Sequence, residues 1–131
     1  MAQDTTTAAL VQRFLGLMQE RDLPAAQALL APGFEMCFPG GAIMHRLDEL
    51  VHWARQRYQS VAKTYERTDS CTTDGCTVVY WMGTLQGTWL DGTPFAGIRF
   101  IDRFELADGR IQRQDVWNDM VEVKAAQGRT A

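Results

Sequence analysis

The chain has 131 residues, 13 Lys+Arg against 16 Asp+Glu and a formal net charge of −3, which fits one domain with a real core and leaves no room for two. With no basic run and no interleaving of aromatic and basic residues, nothing favours a nucleic-acid surface. No apolar stretch approaches transmembrane length, and Met1–Thr7 lacks the charged and apolar regions of a signal peptide, so a cytoplasmic protein without nucleic-acid or membrane partners is expected.

In chain order, Thr5–Thr7 offers a helix N-cap before the apolar stripe Leu10, Val11, Phe14, Leu15, Leu17 and Met18. Asp22 caps a short second helix, with Pro24 in its first turn, that ends at Ala31-Pro32-Gly33. Phe34–Phe38 reads as a strand closed by Pro39-Gly40-Gly41. A third helix is expected from Arg46 to about Ala62, with Leu47, Leu50, Val51, Ala54, Tyr58 and Val61 on one face. The segment 124–131, like 1–6, reads as a frayed terminus, leaving a single domain over 1–131.

Between the third helix and the tail, Asp74-Gly75, Asp91-Gly92 and Asp108-Gly109 recur at an even spacing. Asp-Gly suits the two-residue type I′ turn, which needs φ > 0 at both central positions. The stretches 76–90 and 93–107 are rich in Val, Ile, Thr, Trp, Tyr and Phe, so a four-stranded antiparallel meander over about 64–120 is expected. Strands this long would span about 50 Å if flat. They must therefore bend, and Gly83, Gly87 and Gly97 are placed to allow bulges or kinks.

The turns also predict register. Two-residue loops set Val79 opposite Phe104, Trp81 opposite Asp102, Gly83 opposite Phe100 and Leu85 opposite Ile98. On the next hairpin they set Leu106 opposite Ile111, Phe104 opposite Arg113, Asp102 opposite Asp115 and Phe100 opposite Trp117. The apolar faces of the two long strands then coincide, with Tyr80, Gln86, Arg99, Arg103 and Glu105 on the other face. Asp102 alone breaks the apolar face, and its expected neighbour is Asp115. Two carboxylates that close in an apolar setting titrate as a pair, which suits a general acid or base. The competing reading is a salt bridge to Arg113, diagonal to Asp102.

Trp81, Trp117, Phe100 and Met44 could line an aromatic pocket. His45 stands in a loop near the expected pocket rim, His52 is expected to face solvent, and Glu35 alternates on its short strand. No phosphate loop, Ser-His-Asp arrangement or metal-ligand spacing is present, so neither metal nor organic cofactor is expected. Cys37, Cys71 and Cys76 suggest reduced thiols. A four-residue first loop would instead set Cys71 opposite Cys76.

The helix–helix–strand–helix–meander order, Phe38-Pro39-Gly40-Gly41, and the close Asp108-Gly109-Arg110-Ile111 with Asp115-Val116-Trp117-Asn118-Asp119 resemble the NTF2-like superfamily. The similarity is strongest to its SnoaL-like branch of polyketide cyclases and relatives of ketosteroid isomerase, over about residues 8–121. The resemblance implies an α+β cone, three N-terminal helices packed in a strongly curved antiparallel sheet, around a small, apolar organic ligand. It implies an acid/base aspartate at Asp115 on the final strand, and a homodimer through the outer sheet face. Asp102 stands where active relatives often carry His or Arg. The function expected is a cofactor-independent isomerase, cyclase or hydro-lyase using Asp115 and Asp102. Trp81, Trp117, Phe100, Arg113, His45, Met44 and Glu35 would be its ligand contacts. The alternatives are a non-catalytic binding module and a dimeric interaction module, with the aspartates in structural salt bridges.

Overall fold

A computed structural model describes residues 2–130 of the chain, with the side chains of 7–128. Helices α1 (Ala2–Glu20) and α2 (Leu23–Gln27) are followed by strands β1 (Leu30–Phe38) and β2 (Ala42–Met44), then α3 (Leu47–Arg55). The long strands β3 (Tyr58–Thr73), β4 (Cys76–Trp89), β5 (Pro94–Ala107) and β6 (Arg110–Asn118) follow, and α4 (Met120–Thr130) ends the described chain. All six strands form one sheet in the order β2-β1-β6-β5-β4-β3. The result is the expected α+β cone, with two departures. The sheet is not purely antiparallel, because β1 runs parallel to β6, and a fourth helix follows the meander.

Local chemistry explains most element ends. The Asp22 carboxylate accepts the Ala25 N–H at 3.3 Å, capping α2. At the start of α3 the Glu49 carboxylate reaches back to accept the N–H groups of His45 and Arg46, the N3 half of a capping box. The expected cap at Thr5–Thr7 instead lies inside α1, which begins at Ala2. Helix α3 stops at Arg55 rather than continuing to Ala62. From Tyr58 onward the chain pairs with β4, beginning at Tyr58 opposite Trp89, and this long-range pairing overrides the helical stripe. The tail after Val123 is also ordered into α4. There the Trp89 Nε1–H donates to Gln127 Oε1 at 2.7 Å, and Lys124 sits over the Trp89 ring.

The β4–β5 register is the expected one: Val79 opposes Phe104, Trp81 opposes Asp102, Gly83 opposes Phe100 and Leu85 opposes Ile98. It is reached by two compensating irregularities. The turn closes through Trp89 N–H to Thr93 O, one residue wider than a two-residue loop, and a bulge between Leu85 and Gly87 restores the register. Gly97, at φ 71°, takes up the extra residue on β5. The turns at Asp74-Gly75 and Asp108-Gly109 do have positive φ at both positions, as type I′ requires. The first sets Thr73 opposite Cys76 and Cys71 opposite Val78, so those cysteines do not face each other, and all three are free thiols.

The inner face of the sheet packs on α1, where Phe14 meets Phe104 edge-on at 6.0 Å. Val11, Phe14, Met36, Val79, Phe104 and Ile111 form the centre of this core. A second cluster of Leu85, Trp89, Phe95, Ile98, Phe100 and Met120 closes the end where α4 lies.

Candidate functional site

The β5–β6 register differs from the expected one. Leu106 opposes Ile111 next to the turn, but an irregularity between Glu105 and Leu106 then leaves β6 one residue longer. Beyond it, Phe104 faces Gln114 instead of Arg113, Asp102 faces Val116 instead of Asp115, and Phe100 faces Asn118 instead of Trp117. Because side chains alternate, this one-residue shift turns Asp115 to the face opposite Asp102. The two carboxylates are not a pair.

Asp102 points inward and is fully buried. Its partner is one the sequence reading did not single out: Lys63 of β3, whose Nζ lies 2.5 Å from Asp102 Oδ2. Lys63 also stands 5.1 Å from the centre of the Phe100 ring. The signal for it was the alternation Val61-Lys63-Tyr65, obscured by the helix expected there. Asp102 Oδ1 is buried with no hydrogen-bond partner, as are Trp81 Nε1 and Gln114 Oε1. Buried polar atoms are normally satisfied, so these orphans mark an interior suited to a polar guest.

Two cavities open on this interior. The larger, about 100 Å³, is walled by Phe14, Met18, Arg21, Leu50, Tyr65 and Gln114 among others. The smaller, about 50 Å³, is walled by Trp53, Arg57, Leu85, Phe100, Asp102 and Met120 among others. Phe38, Tyr58, Val61 and Lys63 line both. Tyr65 packs edge-on to Trp81 at 5.2 Å and to Phe100 at 6.0 Å. Burial raises its phenol well above the ordinary tyrosine value, and the Asp102 charge adds to that. Tyr65 is therefore a neutral phenol at the cavity wall.

Of the residues singled out from sequence, Asp102 and Phe100 line a cavity, and Trp81 stands directly across the strand from Asp102. Met44 is buried in the apolar core. The others belong to the outer face or the loop beside it. Arg113 grips Asp115 with two parallel hydrogen bonds of 2.9 Å and donates a third to Glu35. Arg103 approaches Asp115 at 3.6 Å and holds Glu105 at 2.5 Å. Hydrogen bonding from Arg113 holds the Glu35 carboxyl below its usual range, and contact with Asp115 raises Arg113. His45 meets Glu35 at 3.3 Å from an exposed position, and Trp117 is 54% exposed. Among the described residues, no three His, Cys, Asp or Glu side chains gather as a metal site, and no helix is long and apolar enough to cross a membrane.

The sequence model of the SnoaL-like domain matches residues 11–114. No curated protein matches the chain. Among solved structures, an NTF2-like protein of unknown function from Burkholderia pseudomallei is similar at 20% identity and TM-score 0.71, covering 90% of this chain and 94% of that one. TerC, crystallised with polyporic acid, is similar at 17% identity and TM-score 0.73, covering 92% and 96%. ActVI-ORFA of Streptomyces coelicolor is similar at 14% identity and TM-score 0.67, covering 91% and 98%. At these identities the likeness establishes the fold alone.

Proposed function

The chain belongs to the SnoaL-like domain family, and from that premise we propose that its cone binds a small organic molecule and moves a proton on it. The observation that carries this reading is the Lys63–Asp102 pair. One carboxylate oxygen is held by an ammonium, the other lacks a partner, and the surrounding wall is mainly apolar. Asp102 Oδ1 accepts a proton from carbon or oxygen of the ligand. A Lys63 N–H then stabilises the oxyanion that develops on the ligand, against a mainly apolar wall. The proton returned to a second atom completes an isomerase-, cyclase- or hydro-lyase-type step with no organic cofactor. That TerC, a protein of similar fold, was crystallised with polyporic acid supports a small organic ligand.

Asp115 takes a structural role in this reading, because Arg113 and Arg103 already occupy it on the other face. The same closed network favours the second reading, a non-catalytic binding module. We also propose a homodimer through the outer sheet face. Support comes from exposed Ile101 and Trp117, which oppose each other on β5 and β6 beside a broad groove that includes Met82.

The test follows deuterium wash-in at the α-carbon of cyclohexanone and phenylacetone by proton NMR. The wild-type protein should accelerate exchange over buffer, and Asp102→Asn should remove the acceleration while Asp115→Asn keeps it. Equal rates for wild type and Asp102→Asn would overturn the proton-transfer reading in favour of the binding module.

A further inference from the structure

Among the described arginines, Arg46, Arg67, Arg99, Arg103 and Arg113 form ion pairs with carboxylates. Arg57 does not. It is half-buried just beyond α3, with its own N–H bonded to Ala54 O. Its guanidinium stacks on Trp53, 4.4 Å from the ring centre, and among the described residues it donates to the Met120 sulfur at 3.9 Å. A thioether is a weak acceptor. The Arg57 Nε–H is buried with no partner, and no carboxylate of the described residues lies within ion-pair distance of the guanidinium. A buried donor left unmade is costly, so this fork is built to receive an acceptor.

The surroundings say which kind. Arg57 lines the smaller cavity together with Asn118. Asn118 Oδ1 accepts the Met120 N–H at 3.1 Å, which fixes the amide and leaves its NH₂ group to donate. Arg21, also without a carboxylate partner among the described residues, lines the larger cavity and donates to Met18 O at 2.6 Å. Both arginines act on Tyr58 between them: burial raises its phenol, and the two positive charges pull the other way. Lys63 is already neutralised by Asp102. The interior thus presents excess positive charge at its rim, in a protein whose net charge is −3.

We infer that the ligand of this site is a small carboxylic acid of about one ring, its carboxylate held by the Arg57 fork and the Asn118 amide and its apolar body inside. This rests on the reading of the cavity as a ligand site and adds the chemical class. A planar carboxylate matches the guanidinium fork bidentately. The size follows from volume, because a cavity of about 150 Å³ accepts benzene. The cavities of about 100 and 50 Å³ here share Phe38, Tyr58, Val61 and Lys63 as walls, so one ring fits by reaching from the smaller into the larger. Phe38, Val61, Leu85 and Phe100 supply the apolar wall. A phosphate ester would bring a second charge that this donor set does not meet.

The test compares benzoate with benzamide, nearly the same shape without the charge. Titrations are followed by ¹H–¹⁵N NMR at the Trp53 indole and the Asn118 side-chain amide, at pH 7 and low salt. Benzoate should bind about tenfold tighter, the worth of one charge-assisted hydrogen bond, and the preference should shrink as salt rises. Arg57→Gln should bring the ratio near one, and Arg57→Lys should keep part of it. Should the glutamine variant fail to fold, the wild-type ratio and its salt dependence decide. Equal binding of the two probes, an unchanged ratio in Arg57→Gln, or displacement of benzoate by equimolar inorganic phosphate would overturn the inference while leaving the cavity as a ligand site. Perturbation of neither resonance by either probe would overturn both.

Discussion

Lys63 Nζ and Asp102 Oδ2 meet at 2.5 Å across the inner face, joining β3 to β5 over the intervening strand β4. Leu85 lies opposite Lys63 and Trp81 opposite Asp102, so the pair runs diagonally over an apolar strand. The carboxylate is fully buried and the lysine side chain 23% exposed. Lys63→Met removes the countercharge and strands Asp102 in the core, with an expected loss of about 3–5 kcal/mol. Lys63→Met combined with Asp102→Leu should recover most of it, because neither charge is then desolvated. Urea denaturation of the wild type and both variants measures this. A single variant as stable as wild type would show that the pair is solvated in solution.

Tyr65 gives a pH dependence with a definite sign. Its phenol is raised above the ordinary value of about 10 by burial and by Asp102. As pH climbs past about 10, the unfolded chain loses this proton while the folded chain keeps it. Stability present below that pH is therefore lost as pH rises towards the folded value, by up to about 1.4 kcal/mol per pH unit. Tyr65→Phe should flatten the alkaline limb of the stability profile and remove one late-titrating phenol from the ultraviolet titration at alkaline pH. An unchanged alkaline limb would contradict the burial of Tyr65 against Trp81 and Phe100.

Turn chemistry made the meander legible, and it made the inward position of Asp102 legible through the alternation with Phe100 and Phe104. It could not reveal the extra residue in β6. The β5 bulge has Gly97 at positive φ to mark it, whereas the β6 irregularity falls near Gln112, where no glycine advertises it. That one residue decides whether Asp115 is a partner of Asp102 or of Arg103. Lys63 and Arg57 were hidden for a different reason. Tyr58 and Val61 extend the helical stripe of α3, and only the distant pairing with β4 makes them strand residues. The dependence of α4 on Trp89 is likewise a tertiary effect that the polar tail does not announce.

The glycines of the long strands divide by mechanism. A Cβ on Gly83 would lie 1.9 Å from Thr64 O, and one on Gly87 2.1 Å from Ser60 O, both backbone atoms of β3. At Gly97 the space is open, and the constraint is φ 71° instead. Gly83→Ala forces β3 and β4 apart near the bulge between Tyr65 and Arg67, at about 2–3 kcal/mol. Gly97→Ala strains one residue in the left-handed region and should cost only about 1 kcal/mol. Thermal melts of the two variants rank them, and the reverse order would mean that β3 yields more easily than the β5 bulge.

Trp117 tests the outer face independently of the cavity. It is 54% exposed and stands opposite Ile101, itself 39% exposed, on the side away from Asp102 and Lys63. If two copies meet there, Trp117→Arg places a desolvated charge in the centre of the interface. The variant should sediment as a monomer at concentrations where wild type sediments as a dimer. Because Trp117 itself lines neither interior cavity, the variant's deuterium wash-in rate per protomer should stay near that of wild type. A variant that remains dimeric would move the interface off this face, and one that becomes monomeric and loses activity would show that the cone's interior depends on the partner copy.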